Sequence, residues 1–185
     1  MERVPLMYMG IGEVIDSDGI GIITLTDSNA KRALNIVCDN VMLGQLRLRT
    51  THNDRCRFLL PEVLMAMLND YVNPAVLEIV IYGIKDGQYL ATLTNTDTFT
   101  ERKIRLSDAV LLHIIEDVPM YIDKELMDSQ STPFKADMTK ITVPINTLGT
   151  EQLKESLQQA VDEEDYRLAS IIQEELKKRT PTNQA

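Results

Sequence analysis

The chain reads as an α+β fold, a mixed or antiparallel sheet packed with helices and followed by a C-terminal helical hairpin. Three observations carry this reading. Runs rich in β-branched residues, separated by Asp, Asn and Gly turns, fill much of the first 105 residues without a regular strand–helix alternation. Two apolar-striped segments, near 61–70 and 107–116, supply helices to cover a sheet. From residue 150 onward, apolar residues recur three and four apart on either side of an acidic break.

The first forty residues predict three strands, Leu6–Ile11, Ile20–Thr26 and Ala33–Cys38. Turn chemistry at Asp16-Ser17-Asp18-Gly19 and at Asp27-Ser28-Asn29 separates them. Val41–Leu48 is read as a helix. A second helix opens at Pro61, whose fixed φ suits a first turn. Glu62 there meets the positive end of the dipole, and Val63, Leu64, Met67 and Leu68 form the stripe. Val76–Ile84 is a near-continuous apolar run, Asp86-Gly87 a two-residue hairpin turn, and Gln88–Thr94 the returning strand. A further strand is expected over Thr98–Arg105. Ser107 is then read as the N-cap of a helix containing Ala109, Val110, Leu111, Ile114 and Ile115. Pro119 ends that helix, and Met120-Tyr121-Ile122 is a short last strand.

Beyond Ser129 the pattern thins to Ser, Thr, Pro and Asp, with one extended apolar snippet, Ile141–Ile145. The expected organisation is therefore a domain over 1–128, a linker over 129–149, a helical hairpin over 150–179 and a disordered tail over 180–185. Thr150 is the expected cap of the hairpin, and Lys177, Lys178 and Arg179 suit the negative end of its second helix. The turn is placed at Glu163-Glu164-Asp165. Leu153, Leu157, Ala160 and Val161 should face Tyr166, Ala169, Ile172 and Leu176. Two short helices cannot bury all of their apolar surface, and each Leu-sized side chain left exposed forgoes roughly 1.5–3 kcal/mol.

At 185 residues and 44% hydrophobic content a sizeable core is within reach. The formal charge of −9 argues against a general nucleic-acid coat, because binding to phosphates draws on Lys and Arg. Residues 151–185 hold eight acidic and five basic side chains, so the rest of the chain is acidic in its own right. Its dense basic stretch is Arg47, Arg49, Arg55 and Arg57, read either as solvated arginines around a loop or as a nucleic-acid contact. Two cysteines without metal-like spacing and a start without a basic lead or apolar h-region point to reduced thiols in a cytoplasmic protein. No apolar run is long enough to span a bilayer.

Two resemblances add to this. Leu153 to Leu176, with its acidic break Glu164-Asp165-Tyr166, is similar to the UVR motif, a helical hairpin shared by excision-repair proteins and some chaperone–protease adaptors. It implies docking on a UVR-bearing protein or on a second copy through Leu153, Leu157, Tyr166, Ile172 and Leu176. The first domain, from about Pro5 to Asp128, resembles the bifunctional nuclease family. The hairpin Ile79–Ala91 with its Asp86-Gly87 turn, the segment Arg105-Leu106-Ser107-Asp108-Ala109-Val110, and Val118-Pro119-Met120-Tyr121-Ile122 followed by Glu125-Leu126 carry that resemblance. Three places depart from the family pattern. Asp39 stands where a Gly is typical, Met42-Leu43 where a Glu-Ala pair is typical, and Leu60-Pro61-Glu62 where many members carry Thr-His-Asp.

The family resemblance implies phosphodiester hydrolysis of DNA or RNA, assisted by Mg²⁺ or Mn²⁺ held on carboxylates. The candidates are Asp86 and Asp108 as metal ligands, with Asp108, Glu62 and His52 as catalytic groups. Each has a plainer reading. Asp before Gly is what a tight hairpin turn prefers, Asp108 favours a helix dipole, and His52 is a polar loop residue beside the arginines. Ser107 lacks a base at recognisable spacing, His113 lies in an apolar stripe, and Tyr82, Tyr89 and Tyr121 fit strand packing better than base stacking. Two functions follow. One is a metal-dependent nuclease tethered to a UVR-type interaction tail, expected to form homo-oligomers. The other is a non-catalytic adaptor or oligomerisation protein on the same fold.

Overall fold

The structure, a computed structural model, describes residues 2–13, 20–51, 54–134 and 143–179. The expected turn at 16–19, His52 and the tail 180–185 lie outside them. The fold is α+β. Among the described residues it has eight strands in one mixed sheet and six α-helices, of which the last two form a C-terminal pair. The chain divides into two compact units, one of 1–83 with 89–142 and one of 84–88 with 143–185.

In the first unit, β1 (Arg3–Glu13), β2 (Gly21–Asp27) and β3 (Arg32–Cys38) form an antiparallel meander. A bulge in β1 between Tyr8 and Gly10 shifts the register against β2. Gly10 there takes φ +149°, a conformation that side chains rarely adopt. Gly21 is required for a different reason. A Cβ would stand 2.7 Å from Cys38 Sγ and 2.9 Å from Leu43 Cδ1, where helix and sheet press together. The turn after β2 is organised by Asp27, whose carboxylate accepts the backbone N–H groups of Lys31 (2.9 Å) and Arg32 (3.3 Å) and the Arg32 Nε–H (3.0 Å). Burial opposes its ionisation, but these donors outweigh that and hold Asp27 below the usual carboxylate range.

Helix α1 (Asn40–Thr50) follows, then a 3₁₀ turn (Asp54–Phe58) and α2 (Leu60–Asn69), with Pro61 in its first turn as expected. β4 (Leu77–Lys85), β5 (Gln88–Asn95) and β6 (Thr100–Arg105) lead into α3 (Leu106–Glu116). The N-cap of α3 is Arg105, not Ser107. The serine sits one residue inside the helix and is buried, so its hydroxyl is not in the capping position. Nor does Pro119 alone end α3, because Asp117 already turns left-handed at φ 52°. β7 (Met120–Asp123) then enters between β4 and β1, parallel to the first and antiparallel to the second. The sheet order is β6-β5-β4-β7-β1-β2-β3-β8. The short helix α4 (Lys124–Gln130) crosses the expected domain boundary at 128, and the two-residue β8 (Thr132–Pro133), paired with β3, occupies residues read from sequence as the beginning of a linker. Ile23, Leu25, Leu34, Leu43, Leu46, Ile79, Ile81, Val110 and Ile122 are the fully buried centre. No helix among the described residues is long and apolar enough to cross a membrane.

In the second unit, α5 (Thr150–Asp162) and α6 (Tyr166–Arg179) fold back on each other. Gly149, not Thr150, is the N-cap of α5, and its N–H donates to Gln152 Oε1 (2.9 Å). The turn falls at the expected acidic triplet. Asp165 N–H donates to Ala160 O (2.8 Å), Glu164 N–H to Val161 O (3.1 Å), and Glu164 is left-handed at φ 58°, which together make a Schellman closure. Asp165 then caps α6 by accepting the Leu168 N–H at 3.0 Å. This tight turn sets the register. Leu153, Ala160, Ala169 and Ile172 form the buried core, and Leu157, Leu176, Ile145 and Leu148 pack around it. Val161 and Tyr166, expected to face the partner helix, are instead exposed because they flank the turn. Arg179 does not cap its own helix. Its guanidinium bonds Glu175 (2.9 Å) and reaches the carbonyls of Leu148 (2.6 Å) and Asn146 (3.0 Å), pinning a 3₁₀ turn (Ile145–Thr147) to the end of α6.

The turn yields two substitutions of opposite sign. Glu164→Gly removes the left-handed penalty and should stabilise the helical pair by about 1 kcal/mol, while Asp165→Ala loses the cap and should cost about 1 kcal/mol. Thermal unfolding followed by circular dichroism would separate the two directions.

Candidate functional site

The carboxylate of greatest interest, Asp108, stands in the first turn of α3 and faces Arg105. Arg105 Nε donates to Asp108 Oδ2 at 2.9 Å and Nη2 to Oδ1 at 3.1 Å, a two-pronged pair. The same guanidinium reaches Asp39 Oδ2 at 3.2 Å through Nη1. Asp39 in turn is the N-cap of α1, accepting the Met42 N–H at 2.7 Å through Oδ1. Two helix N-termini are thus joined by one arginine between two carboxylates, and all three side chains are about half exposed. The bonded Asp108 carboxylate, with Asp39 adding to it, holds the Arg105 guanidinium above its ordinary range.

From sequence Asp39 is read only as a departure from the family pattern and Arg105 only as part of the resembling segment, neither as a site residue. The signals for them were present: an Asp directly before a helix is a cap, and Arg three residues before Asp on a helix start is a pairing distance.

Glu62 lies elsewhere. It is paired with Arg49, whose Nη2 donates to its carboxylate at 2.7 Å, while Arg49 Nη1 donates to the backbone O (2.8 Å) and Oε1 (3.0 Å) of Gln45. Arg49 is buried, so this pair ties α2 to α1 inside the domain. The four arginines are therefore in unlike settings. Arg47 is exposed and bonds Glu13 at 2.7 Å, Arg49 is internal, Arg55 is exposed, and Arg57 stands 4.7 Å over the ring of Phe58. Asp86 is exposed at the β4–β5 turn in a left-handed conformation, φ 51°, the geometry of a tight hairpin. His113 is tied through Nδ1 to Val118 O at 2.9 Å. Burial pushes the Cys38 thiol up to about 11, aided by the Asp39 charge, so this cysteine is an inert core group.

Among the described residues no three His, Cys, Asp or Glu side chains converge as a metal cage. The carboxylates of Asp108 and Asp39 already meet a guanidinium, and that of Glu62 another. In this arrangement an Mg²⁺ or Mn²⁺ ion on Asp108 or Asp39 would have to displace Arg105 from them.

An antiparallel-rich sheet carrying helices on short connections, with a half-exposed charge network joining two helix starts, is an α+β domain. The family model of the bifunctional nuclease domain matches residues 23–135, and the chain belongs to that family. The match contains the whole Asp39–Arg105–Asp108 network and ends before α5. No curated protein matches the chain significantly.

The Arg49–Glu62 pair makes a direct prediction. Glu62→Gln leaves a buried guanidinium without its counter-charge and should cost about 3 kcal/mol, at the lower end for a broken buried pair because Glu62 keeps some exposure. The double change Arg49→Met/Glu62→Leu should recover most of that loss in urea unfolding.

Proposed function

We propose that this chain is a nuclease of the bifunctional nuclease family, hydrolysing phosphodiester bonds of DNA or RNA at the Asp39–Arg105–Asp108 surface. The observation that carries this reading is that the network is exposed, mixed in charge and set within the family's matched segment. Arg105 is the cation for a phosphate oxygen, which a planar guanidinium binds in the same fork it now offers Asp108. Once the phosphate takes that place, Asp108 or Asp39 is released to accept the proton of a water attacking phosphorus, while the P–O bond to the leaving sugar oxygen breaks and that oxygen takes a proton from solvent. Ser107, buried, is not the nucleophile. The test is hydrolysis of single- and double-stranded DNA and RNA in Mg²⁺, Mn²⁺ or EDTA. Asp108→Asn and Arg105→Ala should each lower the rate at least tenfold with unchanged unfolding midpoints. Equal rates in both variants would place the chemistry elsewhere.

A second reading, the adaptor, is favoured by the helical pair. Lys154, Leu157, Gln158, Val161, Tyr166, Ala169, Ser170 and Gln173 line a groove of about 430 Å³ along it. Of the residues expected to bind a partner, Leu153 and Ile172 are spent on the pair's own core, whereas Leu157 and Tyr166 border the groove. A UVR-bearing hairpin is the partner this reading names. Val161→Asp should abolish its binding in calorimetric titration without unfolding the pair, and unchanged binding would remove the groove from the argument.

A further inference from the structure

A strip of large apolar side chains on α2 is left uncovered by its own domain. Leu60, Val63, Leu64 and Met67 fall at i, i+3, i+4 and i+7, one face of the helix, and only Met65 on the opposite side is buried. Phe58 extends the strip before the helix and Tyr71 after it. Five of these six residues are more than half exposed, and Val63 is 40% exposed. The helix beneath them is not loosely held, because Glu62 bonds the buried Arg49 of α1. Together the six expose on the order of 700 Å² of side chain, against the roughly 800 Å² that each partner contributes to a standard stable interface.

We infer that this strip is the contact between two copies of this chain, related by a two-fold axis across antiparallel α2 helices. Area is one argument, and the ends of the strip supply the other. At the start, Arg57 lies over Phe58, and at the finish, the exposed Asp70 is the C-cap of α2. A two-fold axis at the middle of the helix brings Arg57 of each copy to Asp70 of the other, so the charges match twice from one pair of residues. A nucleic acid does not suit this face, whose centre carries no Lys or Arg. The inference is independent of the nuclease reading, since Arg105 and its two carboxylates take no part in it.

The experiment is sedimentation equilibrium of the full chain, whose monomer is 20.9 kDa. A dimer is expected at micromolar concentration. Leu64→Glu/Met67→Glu should raise its dissociation constant a hundredfold or more with unchanged circular dichroism. Arg57→Asp should weaken it about tenfold, and adding Asp70→Arg to that variant should restore it. The restoration shows that Arg57→Asp acts through its contact with Asp70 and not by misfolding. Val161→Asp, on the helical pair, should leave the dimer intact. A monomeric wild type overturns the inference. So does a dimer that survives Leu64→Glu/Met67→Glu, or one that is lost on Val161→Asp. A wild type that stays monomeric in solution but floats with phosphatidylcholine vesicles overturns it as well, assigning the strip to a membrane surface.

Discussion

Four residues hold the sheet of this domain together. Met120–Asp123 form β7, which lies between β4 and β1 and, among the described residues, joins the β6-β5-β4 side of the sheet to the β1-β2-β3-β8 side. Ile79 pairs with Met120 and Ile81 with Ile122 on one flank, while Val4 pairs with Ile122 and Leu6 with Met120 on the other. Both inward side chains, Met120 and Ile122, are almost fully buried. The strand is also anchored at each end by backbone bonds, Ile79 N–H to Pro119 O at 2.8 Å and Lys124 N–H to Glu2 O at 3.0 Å. Because β1 and β7 are more than a hundred residues apart in sequence, this closure demands a large loop entropy before it returns any contact energy.

Most elements were legible, and the reasons differ. β2 and β3, and β4 over Ile79–Ile81, announce themselves because they are largely buried on both faces and so read as apolar runs. The C-terminal pair was legible because its three- and four-residue spacing and acidic turn are local signals, and the Schellman closure at Glu164 uses those same residues. α4 was missed since Lys124–Gln130 has a single buried residue, Met127, and thus no stripe. Ser107 misled for a simple reason. Its side chain type suits a cap, but the cap falls two residues sooner, at Arg105, which ends β6. The chemistry was less legible still. Asp108 and Glu62 were visible as acids, yet which cation each would meet depends on tertiary placement that no spacing reveals.

Those cations separate the carboxylates into two kinds. The Arg49–Glu62 pair is internal, with little solvent to screen it, and its role is to fix α2 on α1. The Arg105 pairs are half exposed, so their net contribution to stability is small and they can be exchanged for other partners at little cost. Only the second kind can serve a ligand. Asp39 illustrates how fold and site are joined in one residue: one oxygen caps α1 and the other holds Arg105. A side chain spent on a cap cannot drift, which keeps the arginine between two fixed helix starts.

The acidity of the chain sharpens what a phosphate would have to do there. With a formal charge of −9, no long-range field draws a polyanion in, and screening confines any attraction to about 8 Å in physiological salt. At closer range the network holds two carboxylates against one guanidinium, a net −1, so a phosphate cannot simply add to it. It must take the place of a carboxylate on Arg105. On the nuclease reading this exchange frees an acidic group beside the phosphorus at the moment of binding, so that arrival of the substrate creates the base that acts on it. The exchange also neutralises no additional cation. Affinity at such a site gains little from counterion release, and its dependence on salt is correspondingly shallow.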